Sequence, residues 1–144
     1  MTKIPACWNK AKRYLSKKDK IMSKLIKSYQ SPSEIILKSR RDIFFSLCKS
    51  IIGQQISVSA ANSVFLKFRK KCNNKINAKK VSRLTFSQLK SCGLSRQKVL
   101  GIQSLAKQII DKSFKPKLIS KMNDEEAIAY LSNLRQIGRW SAEM

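Results

Sequence analysis

The stretch Leu131-Ser-Asn-Leu-Arg-Gln-Ile-Gly-Arg-Trp-Ser-Ala-Glu-Met144 is the part of the chain whose residue types and spacing best suit binding chemistry. Ile128, Leu131 and Leu134 share one helical face, the chain turns at Ile137-Gly138, and a new helix starts at Arg139-Trp140-Ser141. A tight turn feeding a helix N-terminus aims several backbone N–H groups one way, at the positive end of the helix dipole. That arrangement holds a phosphate without needing any particular side chain. Arg139 adds charge at its edge. An ordinary helix-turn-helix corner has the same spacing, and spacing alone leaves both readings open.

Other chemistries are excluded or unsupported. Histidine is absent, which removes His-ligated metals, Ser-His-Asp triads and a histidine general base. Cys7, Cys48, Cys72 and Cys92 are scattered, with no Cys-x-x-Cys pair, and read as buried or idle thiols in a reducing compartment. No metal site is expected. The acids Asp124, Glu125 and Glu126 read as cap and first-turn charges, Asp42 as lying near a helix start, and Asp19, Glu34 and Asp111 as lying outside the motifs. Glu143 lies close to the turn itself.

The charge balance points to a partner. The sequence has 31 Lys+Arg against 8 Asp+Glu, a formal net charge of +23. A field of that sign draws polyanions, nucleic acid foremost. Abundant Lys, Asn, Ile and Ser also fit an AT-rich coding sequence, so charge suggests a partner and names no function. The start has no apolar signal-peptide core, and no uncharged run approaches membrane-spanning length. An intracellular, cytoplasmic protein without membrane attachment is expected.

The elements that must position these residues are helical, and an all-α class is expected. Ile43, Phe44, Leu47, Cys48 and Ile51 follow the spacing of one buried face, as do Val58, Ala61, Val64, Phe65 and Phe68, and Val99, Ile102, Leu105, Ala106 and Ile109. Thr85 to Gln88 and Asn123 to Glu126 read as capping boxes. Ser31-Pro-Ser-Glu34 separates an N-terminal helical hairpin from the main run, because Pro32 disfavours helix at Ser31. Lys71 to Asn77 reads as a polar connection. Gly53, Gly93 and Gly138 fall at breaks, where positive φ or close backbone approach is expected, whereas Gly101 lies inside a helical pattern and suggests tight packing.

Leu-x-x-Ile-Gly-x-Trp-Ser-Ala-Glu-Met resembles the helix-hairpin-helix of the DNA glycosylase superfamily. Ile51-Ile-Gly-Gln-Gln-Ile-Ser57 resembles the loop-helix start of its alkylpurine (3-methyladenine) branch. Gly93-Leu-Ser-Arg-Gln-Lys98, followed by Ile102 and Leu105-Ala106, resembles the segment ahead of the hairpin. The three motifs stand in the family's order over roughly residues 40 to 144. The resemblance implies a helix-hairpin-helix glycosylase domain over 36–144, incomplete within its second hairpin helix, with an N-terminal helical segment over 1–35 packing on it.

The resemblance also implies roles. The backbone around Ile137, Gly138, Arg139, Trp140 and Ser141 would grip a phosphate of double-stranded DNA containing alkylated bases, helped by a monovalent cation on the hairpin carbonyls. No other cofactor is implied, and a monomer is expected. Gln55 stands where the family inserts a side chain into the gap left by a flipped nucleotide, with Gln54 as supporting neighbour and Ser57 beside them. Trp140 matches an aromatic near the base pocket, where an indole favours a cationic purine. Read from the residues alone, Gln55 is equally a polar residue at a helix start, and Trp140 equally core packing. The hairpin has Gln136 where the family has its first glycine, a strained substitution of order 1 kcal/mol if φ is positive there. No lysine nucleophile stands near Gln136, and Arg135 stays protonated, so a monofunctional hydrolysis is expected. The family's catalytic Asp is expected beyond Met144, and no catalytic residue is named in this chain.

Overall fold

The computed structural model describes residues 6–29 and 42–144, and helices make every regular element among them. The chain divides into two units, Met1–Arg41 and Asp42–Met144. The Ser31–Glu34 separator and the boundary expected near residue 35 lie outside the described residues.

In the first unit, α1 (Trp8–Lys18) and α2 (Lys20–Ser28) pack on each other as the expected helical hairpin. Asp19 makes the corner. Its backbone is extended, and its carboxylate accepts from the Ile21 and Met22 N–H groups at 2.7 and 3.0 Å, satisfying two orphan donors of the new helix. The Lys12 ammonium lies 5.8 Å from the Trp8 ring centroid.

The second unit is built on α7 (Arg96–Ile110), with α3 (Ile43–Gly53), α5 (Ala78–Val81) and α6 (Phe86–Lys90) packed against it. Val99, Ile102, Leu105 and Ala106 are buried on α7 and meet Phe44, Leu47, Cys48, Ile51 and Ile52 of α3 in one core. Burial of each such branched side chain contributes about 1.5–3 kcal/mol, which is what fixes these helices in place. Both capping boxes form as the sequence predicts: Thr85 with Gln88 at the start of α6, and Asn123 with Glu126 at the start of α8 (Asp124–Ser132). A 3-10 turn over Pro116–Lys121 leads to α8, where Tyr130 stacks on Phe114 at 5.2 Å and accepts a hydrogen bond from the Lys115 N–H.

Three expectations need correction. On α4 (Val58–Lys71) only Phe68 is fully buried, and Val58, in the first turn, is 79% exposed. The Lys71–Asn77 connection is anchored by buried Cys72 and Ile76, while Asn73 and Asn74 take the left-handed turn. Gly93 does have positive φ, +94°, but Gly53 and Gly138 do not, and a Cβ would meet nothing within 4 Å at either. The left-handed backbone falls instead on their neighbours, Gln55 and Gln136.

Candidate nucleic-acid interface

Helix α3 ends at Gly53 and leaves carbonyls without intrahelical partners. Lys98, reaching from α7, satisfies two of them: its Nζ donates to the Ile52 carbonyl at 2.9 Å and to the Gln54 carbonyl at 2.7 Å. Partial burial there pulls its pKa below the ordinary lysine value. The chain then turns at Gln55, which is exposed and has φ 55°. Ser57 begins α4, and its hydroxyl accepts from the Ala60 N–H at 3.2 Å, so it is occupied as a helix cap. A groove of about 240 Å³ opens beside this turn, lined by Ile52, Gly53, Ile56, Ala61 and Phe65 among others.

The hairpin joins α8 to α9 (Arg139–Glu143). Leu134 and Ile137 are buried and pin it to the core, so Ile137 can offer a ligand only its backbone. The Ile137 N–H donates to the Leu134 carbonyl at 3.1 Å, closing the turn. Gln136 has φ 68°, the positive value that its place in the hairpin predicts. Its Cβ and Cγ lie against Gly101 of α7, where an added Cβ would come within 2.9 Å of Cγ. The tight packing expected at Gly101 is therefore real, and what it admits is the hairpin.

The two loops meet. Gln54 Nε2 donates to the Gln136 carbonyl at 2.7 Å, across 82 residues of sequence. The hairpin is also tied at Arg135, whose Nη2 donates to Gln97 Oε1 at 2.8 Å. Helices α3 to α8 each begin with a side chain that accepts from a first-turn N–H, namely Asp42, Ser57, Asn77, Thr85, Ser95 and Asn123. At α9 the cap is Gly138, with φ −94° and no side-chain bond. The positive end of that helix is thus not closed by a side-chain cap.

The predicted side chains divide into groups. Gln54 meets the hairpin at Gln136, which Ile137 and Gly138 follow in sequence, and Gln55 stands exposed next to Gln54. Trp140 is 77% exposed, so it is no part of the core of the described residues. Ser141 is half-buried. Arg139 differs from expectation: its guanidinium takes Glu125 in a two-point fork at 2.7 and 3.1 Å, and its Nε pairs with Glu143 at 2.8 Å. The pairing raises the Arg139 pKa and holds the Glu125 carboxyl below the usual carboxylate range, through the hydrogen bond first and the charge second. Sequence reasoning missed Lys98, Glu125 and the Gln136 carbonyl as parts of this region. Lys98 did lie in a motif, but nothing local says which carbonyls a lysine will reach.

The acids described are mostly engaged elsewhere. Asp19, Asp42 and Glu126 cap helices, and Asp111 holds Ser113. Among the described residues no group of three or more His, Cys, Asp or Glu side chains stands together as a metal site, and no helix is long and apolar enough to cross a membrane. Between Asp42 and Asp111 the chain has no acidic residue at all, against Lys49, Lys67, Arg69, Lys70, Lys71, Lys75, Lys79, Lys80 and others.

Residues 48–141 match the family described as HhH-GPD superfamily base excision DNA repair protein. The chain belongs to that superfamily. It is similar to DNA-3-methyladenine glycosylase 1 of Schizosaccharomyces pombe, 26% identical over 138 residues, covering 94% of this chain and 60% of the relative. It is likewise similar to the DNA-3-methyladenine glycosylase of Saccharomyces cerevisiae, 32% identical over 112 residues, covering 72% of this chain and 38% of the relative. The solved structure of the Schizosaccharomyces pombe 3-methyladenine DNA glycosylase in complex with abasic DNA superposes with a TM-score of 0.80 at 24% identity, covering 92% of this chain and 66% of that one. A DNA-3-methyladenine glycosidase from Bacillus halodurans gives a TM-score of 0.74 at 21% identity, covering 99% and 63%. These superpositions establish the all-α helix-hairpin-helix fold. This HhH-GPD chain spans about 60% of the length of the first of these relatives.

Proposed function

We propose that this chain is the DNA-gripping part of a base-excision glycosylase that hydrolyses the N-glycosidic bond of alkylated purines, of the 3-methyladenine type, after flipping the base out of double-stranded DNA. The observation that carries the reading is the meeting of the Gln54–Gln55 turn with the hairpin at the Gln54–Gln136 hydrogen bond. Within a chain of this superfamily, that junction sets an exposed side chain for the gap in the duplex beside backbone donors for the neighbouring phosphate. In this reading Gln55 is the wedge, Gly138 to Ser141 hold the phosphate, and Trp140 faces the extruded base.

An alkylated purine is already cationic, so it leaves as a neutral base without a strong general acid. The protein need only stabilise an oxocarbenium-like sugar and position a water. None of the described acids is assigned that work. A monovalent cation on the hairpin carbonyls belongs to the same reading. The Leu134, Gln136 and Gly138 carbonyls each accept one hydrogen bond, and a carbonyl oxygen carries a second lone pair.

Gln136, a non-glycine residue in left-handed backbone where the resembled hairpin has its first glycine, favours a second reading, a binding module that grips damaged DNA without cleaving it. One assay separates them. The whole protein of which this chain is the DNA-gripping part is incubated with duplex carrying N-methylated purines, and released base and alkali-labile sites are counted. Release with strands intact until alkali is the expected result. Strand scission without alkali overturns the monofunctional reading, and tight binding without release leaves the binding module.

A further inference from the structure

Lys98 takes no part in the roles just assigned, yet it donates two hydrogen bonds into the junction. Two exposed loops must keep a fixed spacing, and both carry a non-glycine residue in left-handed backbone, Gln55 at φ 55° and Gln136 at φ 68°. Such conformations persist only where the surroundings over-determine them. The surroundings here come from one face of α7. Lys98 Nζ grips the carbonyls of Ile52 and Gln54 on either side of Gly53, and Gly101, one turn along, receives the Gln136 side chain. The backbone that Lys98 fixes carries the Gln54 amide, which closes the circuit onto the Gln136 carbonyl at 2.7 Å.

We infer that Lys98 is a positioning residue that locks the Gln54–Gln55 turn in register with the hairpin, so that the two loops engage DNA as one unit. The inference rests on the reading of those loops as the DNA-binding face. Lys98 has no assigned contact with DNA in this role: two of its three ammonium N–H groups are held by carbonyls. Its loss therefore affects recognition of a gap in the duplex, which needs both loops in register, and leaves the general attraction to phosphates to the exposed lysines.

The test is fluorescence anisotropy with a duplex carrying a tetrahydrofuran abasic-site analogue and with the same duplex undamaged. The unmodified protein prefers the first. Lys98→Met is expected to lose about tenfold of that preference, the scale of one hydrogen bond to a charged group. Its affinity for the undamaged duplex stays within about twofold, one lysine among many phosphate-attracting bases. Lys98→Arg restores the preference, and Gln54→Met lowers it without adding to the loss in the double variant. Retention of the full preference in Lys98→Met overturns the inference, as does an equal loss on both duplexes. Should Lys98→Met fail to fold by circular dichroism, the Gln54→Met and Lys98→Arg results decide the question by the same criteria. Absence of any preference in the unmodified protein overturns the DNA reading first, and the role of Lys98 with it.

Discussion

Gly101 and Gln136 touch so closely that a methyl group on the glycine would sit 2.9 Å from the glutamine Cγ and 3.2 Å from its Cβ. The glycine lies inside α7 and the glutamine at the left-handed corner of the hairpin. One position is small and the other strained because the hairpin has to lie flat on that helix.

Gly101→Ala sets two effects against each other. Alanine gains about 1 kcal/mol of helix propensity, whereas forcing a methyl into packed space costs about 1–3 kcal/mol. The colliding atoms are the inner part of the side chain and cannot swing away, so a net loss is expected. Gln136→Gly removes those atoms and relieves positive-φ strain of about 1 kcal/mol. The double variant should therefore be more stable than Gly101→Ala alone by more than Gln136→Gly gains in the parent. Urea midpoints of the four proteins measure this, and simple additivity would contradict the contact.

Trp140 is 77% exposed, so Trp140→Ala should leave the urea midpoint nearly unchanged, within about 0.5 kcal/mol. Its effect should appear in binding instead. A cation–π contact of about 0.5–2 kcal/mol predicts a several-fold weaker hold on duplex with a cationic methylpurine and little change on undamaged duplex. A marked fall in stability would return Trp140 to a packing role.

Arg139 is clamped by Glu125 and Glu143, and Glu125→Gln releases half of that clamp. The freed guanidinium should tighten DNA binding and steepen its dependence on log salt by up to about 1, the signature of one additional phosphate contact. The Glu125 pKa is lowered, so the pairing is present above the ordinary glutamate range and is lost only as pH falls through the lowered value. The difference between parent and variant should accordingly be constant across neutral pH. A variant with unchanged salt dependence would show that Arg139 does not face the backbone of DNA.

Cys48, Cys72 and Cys92 are buried, while Cys7 is exposed. Burial raises all three buried thiols, Cys72 to about 11, so little thiolate exists at neutral pH. Iodoacetamide should modify Cys7 alone in the native protein and all 4 cysteines in denaturant, as read by intact mass. Rapid native labelling of Cys92 would show that the packing of α6 opens readily.

What was legible in the sequence was whatever local pattern encodes. The faces of α3 and α7 follow from apolar spacing, both capping boxes from a polar residue and its partner three positions on, and the Gly93 turn from the glycine itself. Two of the three motifs carry the segments that the structure brings together at Gln54 and Gln136. Their mutual geometry was not legible. Gln54 and Gln136 are 82 residues apart, and no periodicity announces that one will cap the other. Gln55 and Gln136 occupy left-handed backbone that residue preference alone assigns to Gly53 and Gly138, each two positions away, because tertiary contacts override that preference. Arg139 looked like an open cation because its partner Glu125 had a sufficient local explanation as a first-turn acid.

The acid-free span between Asp42 and Asp111 makes the free protein a polyelectrolyte whose own charges press it apart. Added salt relaxes that pressure, and the same salt strips the advantage of binding phosphates. On the proposed reading, folding and DNA affinity therefore answer ionic strength with opposite signs, and the conditions that best preserve the unliganded protein are those in which it would hold DNA least.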